Sequence, residues 1–160
     1  MKKQTPLNFV GLATATLLTI IGIGVQSVSA ADDLGSLFKQ TGWDKVVGTW
    51  VNDKGVEATF SWKTPGTVLQ SITKMGDVER TTLLERNASG NIDVASADNK
   101  GGKSSGTAEF SANKAVFKIE SKGADGTERK LTINYALPDA DTLTVQLEGQ
   151  PSATTFTRKK

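Results

Sequence analysis

The sequence predicts an all-β fold: an antiparallel up-and-down barrel of about eight to ten strands behind a short N-terminal helical lead-in. Three observations predict it. Turn residues recur at intervals of roughly 8 to 12 from Gly48 onward. The runs between them alternate apolar and polar side chains with period two. No stretch of helical periodicity interrupts those runs.

The helical lead-in comes first. Asp32 or Asp33 can cap a short helix that places Leu34, Leu37 and Phe38 on one side before Thr41-Gly42 breaks it. A second turn, Trp43 to Val47, leads into the first strand, Gly48 to Asn52. Such a lead-in can cover one end of a barrel. Val56, Ala58, Phe60 and Trp62 then alternate with Glu57, Thr59, Ser61 and Lys63, the signature of a half-buried strand. Less regular strands follow at Val68 to Lys74, Val78 to Arg86, Ile92 to Ala95 and Thr107 to Ser111. Ala115, Phe117 and Ile119 form the next apolar stripe; Leu131, Ile133, Tyr135 and Leu137 another. Leu143, Val145 and Leu147 precede a last strand through Thr154, Phe156 and Arg158. Pro65, Pro138 and Pro151 all fall in the intervening turns, where a missing N–H is tolerated. Short connections favour pairing between sequence neighbours, and closing a sheet this long removes its exposed edges. A two-sheet sandwich is the alternative, but it needs longer crossing connections.

Met1 to Ala30 stands apart. Lys2 and Lys3 precede an apolar stretch from Phe9 to Val25 and a small-residue end, Val28-Ser29-Ala30. That is the layout of a secretory signal peptide, with cleavage expected after Ala30. An uncleaved membrane anchor is the alternative. With no cysteine at the junction, a lipid anchor is excluded. Export to a bacterial periplasm or extracellular space is expected, with residues 31–160 forming a single domain: lead-in 31–47, strands 48–160.

The charge follows the same division. Of 19 basic residues against 17 acidic ones in the 160-residue chain, Lys2 and Lys3 lie in the first 30, which hold no acid. The rest is balanced at 17 of each, which argues against nucleic acid as a partner. The chain has no cysteine and no histidine. Disulfides, thiolate metal sites and thiol catalysis are therefore unavailable, and the usual general base and commonest metal ligand are missing. No catalytic residue, metal site or cofactor is predicted.

Gly48-Thr49-Trp50 after Trp43-Asp44-Lys45-Val46-Val47 resembles the lipocalin-like (calycin) superfamily, in which a helical lead-in precedes Gly-x-Trp on the first barrel strand. Phe60-Ser61-Trp62, Asp141-Thr142-Leu143-Thr144 and Phe156-Thr157-Arg158 are similar to motifs of small exported bacterial proteins of uncharacterised lipocalin-like families. The resemblance implies a clasp in which Arg158, from the last strand, covers Trp50 at the closed end. It implies no ligand, since the Thr-Asp-Tyr motif of typical lipocalins and the Arg-x-Tyr ending of fatty-acid-binding proteins are absent.

A barrel of this kind can hold a small apolar or amphipathic ligand lined by Phe60, Trp62, Phe117, Tyr135 and Phe156; equally, these side chains can simply fill the core. Val78 to Arg86 has Arg80, Thr82, Leu84 and Arg86 on one face and Glu79, Thr81, Leu83 and Glu85 on the other. If the arginine face is internal, Arg80 or Arg86 can bind a carboxylate or phosphate head group; otherwise the strand is a solvated edge or rim. Ser96 to Gly106 is expected to be a mobile, glycine-rich hairpin loop. Asp125, Asp139 and Asp141 are weak calcium candidates or simple turn formers. The function expected is non-enzymatic ligand binding. The alternatives are a filled structural or interaction barrel and, further off, a carboxylate-dependent hydrolase or isomerase.

Overall fold

The computed structural model describes residues 33–160; the signal-peptide assignment for Met1 to Ala30 lies outside them. Helix α1, Leu34–Thr41, begins where Asp33 accepts the N–H of Ser36 at 2.7 Å and stops at Gly42, whose N–H donates to the Phe38 carbonyl. A 3₁₀ turn, Trp43–Val46, joins it to the first strand. Ten strands follow: β1 Gly48–Val51, β2 Glu57–Thr64, β3 Val68–Met75, β4 Val78–Arg86, β5 Ile92–Asp98, β6 Lys103–Ser111, β7 Lys114–Lys122, β8 Glu128–Ala136, β9 Thr142–Leu147 and β10 Thr154–Arg158. Each pairs antiparallel with its sequence neighbours, and β1 pairs with both β2 and β10, so the sheet is a closed up-and-down barrel rather than a sandwich.

Odd-numbered turns and even-numbered turns lie at opposite ends. The helical lead-in closes one end. Gly35 donates to the Gly66 carbonyl in the β2–β3 turn at 2.8 Å, and Asn113 in the β6–β7 turn donates to the Thr41 carbonyl at 2.9 Å. The Trp43 indole N–H reaches the Lys114 carbonyl at 3.1 Å. Leu34 and Phe38 are fully buried, each worth about 1.5–3 kcal/mol of transfer free energy. With Val46, Trp50, Leu69, Leu137 and Leu143 they form the densest part of the core, all at this end.

The expected Ser96 to Gly106 loop is corrected by the register. β5 continues to Asp98 and β6 starts at Lys103, leaving only the turn Asn99 to Gly102. Ser96 pairs with Ser104 and Ala97 with Lys103, so the serines that suggest a loop are ladder residues with their polar side chains partly enclosed.

Closure is fixed by one side chain. The Arg158 guanidinium carbon sits 4.3 Å from the Trp50 ring centre, a cation–π contact. Its Nη1 donates to the Val47 carbonyl at 2.9 Å, its Nε to Ala140 at 2.8 Å, and its Nη2 to Lys45. Trp50 in turn donates to the Val46 carbonyl at 2.7 Å. Gly48, with φ 133°, leaves room for this arrangement, because a Cβ there would run into Arg158. Replacing Arg158 by lysine keeps the charge but loses the planar fork that serves three carbonyls at once. Arg158→Lys is therefore expected to lower unfolding free energy by about 2 kcal/mol, measured from urea denaturation midpoints. An unchanged midpoint would show that closure does not depend on the clasp.

Candidate functional site

The barrel is not filled. Between the aromatic floor over α1 and the opposite mouth lies a cavity of about 270 Å³. Its wall can be derived strand by strand from the register. Going from the closed end toward the mouth, β3 presents Leu69, Ser71 and Thr73 inward; β4 presents Leu84, Thr82 and Arg80; β5 presents Val94 and Ser96. Because adjacent strands are in register, these side chains fall into rows. Leu69, Leu84 and Val94 are successive partners across β3, β4 and β5 and make an apolar row. One step toward the mouth, Ser71, Thr82, Ser96 and Ser104 are successive partners across four strands and make a row of hydroxyls. A further step out, Thr73 pairs with Arg80 and Arg80 with Asp98. The opposite wall, from β7 to β10, is apolar except for one hydroxyl: Phe117, Ile133, Tyr135, Val145 and Phe156.

An aromatic chain links the floor to that wall. Phe38 lies 4.8 Å from Phe110, Phe110 5.9 Å from Phe117, and Phe117 4.7 Å from Tyr135, between ring centres. These are tilted and edge contacts, the geometry aromatic pairs prefer.

The arginine face of β4 is thus the internal one, but its two arginines part company. Arg80 is on the cavity wall, where its Nη2 donates to Asp98 Oδ2 at 2.8 Å. Arg86 sits at the closed end, its Nε donating to the Gly90 carbonyl at 3.1 Å, away from the cavity. The aromatic candidates divide similarly. Phe60, Phe117, Tyr135 and Phe156 line the space, whereas Trp62 packs against Phe38 at 5.7 Å where β2 ends under the helix. Asp125 accepts the Thr127 N–H and Asp139 the Asp141 N–H, at 2.9 and 2.8 Å, so both carboxylates are spent on their own turns. Phe38, Trp43 and Phe110, and the whole hydroxyl row, are cavity residues that strand-by-strand sequence reading passes over. The signal for the row is present in the sequence as Ser or Thr at inward period-two positions, but it becomes visible only once the register is known.

The hydroxyls are chemically open. Ser96 and Ser104 bond to each other at 2.5 Å. Among the described residues, no hydrogen bond to a protein group engages the side-chain hydroxyls of Ser71, Thr82 or Tyr135, and no carboxylate lines the cavity. Among the described residues no buried side-chain nitrogen or oxygen lacks a partner, so these hydroxyls open onto the cavity, where water or a ligand can bond them. Arg80 is the one charged side chain on the cavity wall among the described residues, and Asp98 neutralises it. Asp98 is held well below the ordinary carboxylate range, first by the Arg80 hydrogen bond and then by the backbone N–H of Gly102, so it is ionised at neutral pH.

Burial pushes the Tyr135 phenol up to about 12, with the field of Arg80 acting weakly the other way. Tyr135 is the chain's single tyrosine, so alkaline absorbance titration reads it alone. The unfolded phenol ionises near 10.0 and the folded one near 12. Stability is therefore complete below the unfolded value and falls as pH rises between the two. Titration at the unperturbed value in the folded protein would place Tyr135 in open water instead.

The chain matches no protein-family model and no curated protein.

Proposed function

We propose that this protein is an exported, lipocalin-like barrel that binds a small amphipathic molecule in its interior. The observation that carries this reading is the layered cavity: an apolar floor and far wall, with a row of hydroxyls on the near wall toward the mouth. At about 30 Å³ per water-sized group, 270 Å³ accommodates about nine such groups. The ligand is therefore small, with an apolar body against Phe117, Ile133 and Phe156 and a polar end at Ser71 and Thr82.

A filled structural barrel gains no support from an interior of this volume. A carboxylate-dependent hydrolase gains none from a wall without carboxylates among the described residues. Export rests on the Met1 to Ala30 pattern of two lysines, an apolar stretch and a small-residue end. N-terminal sequencing of protein secreted by its own host is expected to begin at Ala31, and an intact Met1 overturns export.

Binding is tested by native mass spectrometry of the protein purified from that host. The expected spectrum shows a low-mass adduct of about a dozen non-hydrogen atoms or fewer. Ser71→Leu, which intrudes on the empty volume and removes a hydroxyl, is expected to lose the adduct while keeping the barrel's circular dichroism. Consistent absence of any adduct from the unsubstituted protein sinks the binding function.

A further inference from the structure

One ion pair, Arg80 with Asp98, stands at the mouth of the cavity. Arg80 is the natural anchor for an anionic head group, but it is already answered. Its Nη2 bonds Asp98 Oδ2 at 2.8 Å, and the Asp98 side chain is only 8% exposed against 41% for Arg80. At that exposure Arg80 keeps its other donors within reach of water, so no ligand is required to satisfy them.

Asp98 is not a casual partner. Its Oδ1 accepts the N–H groups of Gly102 at 2.8 Å and Lys100 at 3.1 Å, which anchors the carboxylate to the β5–β6 turn. Gly102 is glycine for this reason, since a Cβ there would collide with the carboxylate. The turn is itself tied to its neighbour. Asn99 accepts the Glu79 N–H at 3.0 Å and donates to the Asp77 carbonyl at 2.9 Å, and Lys100 pairs with Asp77 at 2.6 Å. Arg80 and Asp98 are thus held together from two turns before any ligand arrives. An incoming carboxylate would either compete with Asp98 for Arg80 or sit enclosed near a second negative charge, and both are costly. The hydroxyl row and the Tyr135 phenol, by contrast, offer neutral donors and acceptors.

We infer that Asp98 neutralises Arg80 so that the cavity selects amphipathic molecules with an uncharged, hydrogen-bonding polar end, such as an alcohol or amide, and rejects carboxylates of the same length. This inference rests on the binding function proposed above. It is tested by isothermal titration with 1-octanol and with octanoate at neutral pH. The wild-type protein is expected to bind 1-octanol at least about tenfold more tightly than octanoate. Asp98→Asn keeps an oxygen for the turn N–H groups but releases Arg80. It is expected to tighten octanoate by about tenfold and leave 1-octanol within about twofold. The double variant Arg80→Gln/Asp98→Asn is expected to lose that gain, which assigns it to the guanidinium. Octanoate binding wild type as well as 1-octanol does, or Asp98→Asn leaving octanoate unchanged in a folded protein, overturns the charge rule while leaving the binding cavity intact. Failure of both probes to bind the wild type overturns the binding function itself. The wild-type comparison needs no substitution and decides the point even where Asp98→Asn does not fold.

Discussion

Everything in this molecule depends on β1, a four-residue strand that must pair on both sides to close the barrel. A strand that short contributes few ladder bonds, yet without its pairing to β10 the ten-stranded sheet would be left open with two unpaired edges. Arg158 offsets the weakness by linking the end of β10 to the lead-in at Lys45 and Val47, directly before β1, and to the β8–β9 connection at Ala140, through separate carbonyls. Because the same guanidinium lies on Trp50, closure and core packing are one interaction. Loss of either would open the seam where the floor of the cavity is built.

Closure also turns local alternation into a graded interior. On a closed barrel, residues that pair across strands form rows that wrap the wall at a slant, so a change of chemistry along one strand becomes a band when its neighbours repeat it. β3, β4, β5 and β6 change together: leucine, leucine, valine and glycine at one level, then serine, threonine, serine and serine at the next. The glycine, Gly106, has no space for a side chain because a Cβ there would enter the backbone of β7 at Lys118. The hydroxyl band weakens the core where it lies, since Ser and Thr bury less apolar area than the residues they stand in for. The fold tolerates this because its dense packing is at the other end.

The strands were largely legible because their signal is local: period-two apolar stripes and turn residues report the backbone directly. The helical lead-in was legible for the same reason, through Asp33 and Gly42. Sequence reading failed where polarity stood in for irregularity. Ser96, Ser104 and Ser105 suggest a loop, yet all three are ladder residues: the Ser96 and Ser104 hydroxyls bond each other on the inward face, and Ser105 is exposed on the outer one. The inward face of β4 was undecidable locally, since both faces carry charge, threonine and leucine. Only pairing of Leu84 with Leu69 and Val94 settles it, and that is tertiary information. Trp62 and Arg86 keep the right parity but sit too near the closed end to line the cavity, a matter of height that alternation does not encode.

The two ends therefore do different work. The fully buried side chains, Trp50, Phe38, Leu34, Leu69, Leu137, Leu143 and Val46, gather under the lead-in. The mouth is held instead by turn hydrogen bonds and ion pairs, of which Lys100 with Asp77 is exposed and Arg80 with the enclosed Asp98 is not. The mouth is also uneven: β9 pairs with Ile133 to Ala136 of β8 and the Glu148 N–H reaches the Thr132 carbonyl, so among the described residues the outer end of β8, from Glu128, has no ladder partner on that side. Exposed polar contacts are individually weak and exchange readily with water. A ligand entering from the mouth would thus disturb side chains that contribute little to folding stability, while the packed floor and the Arg158 clasp stay fixed. That separation lets the interior hold polar groups and empty volume without loosening the barrel.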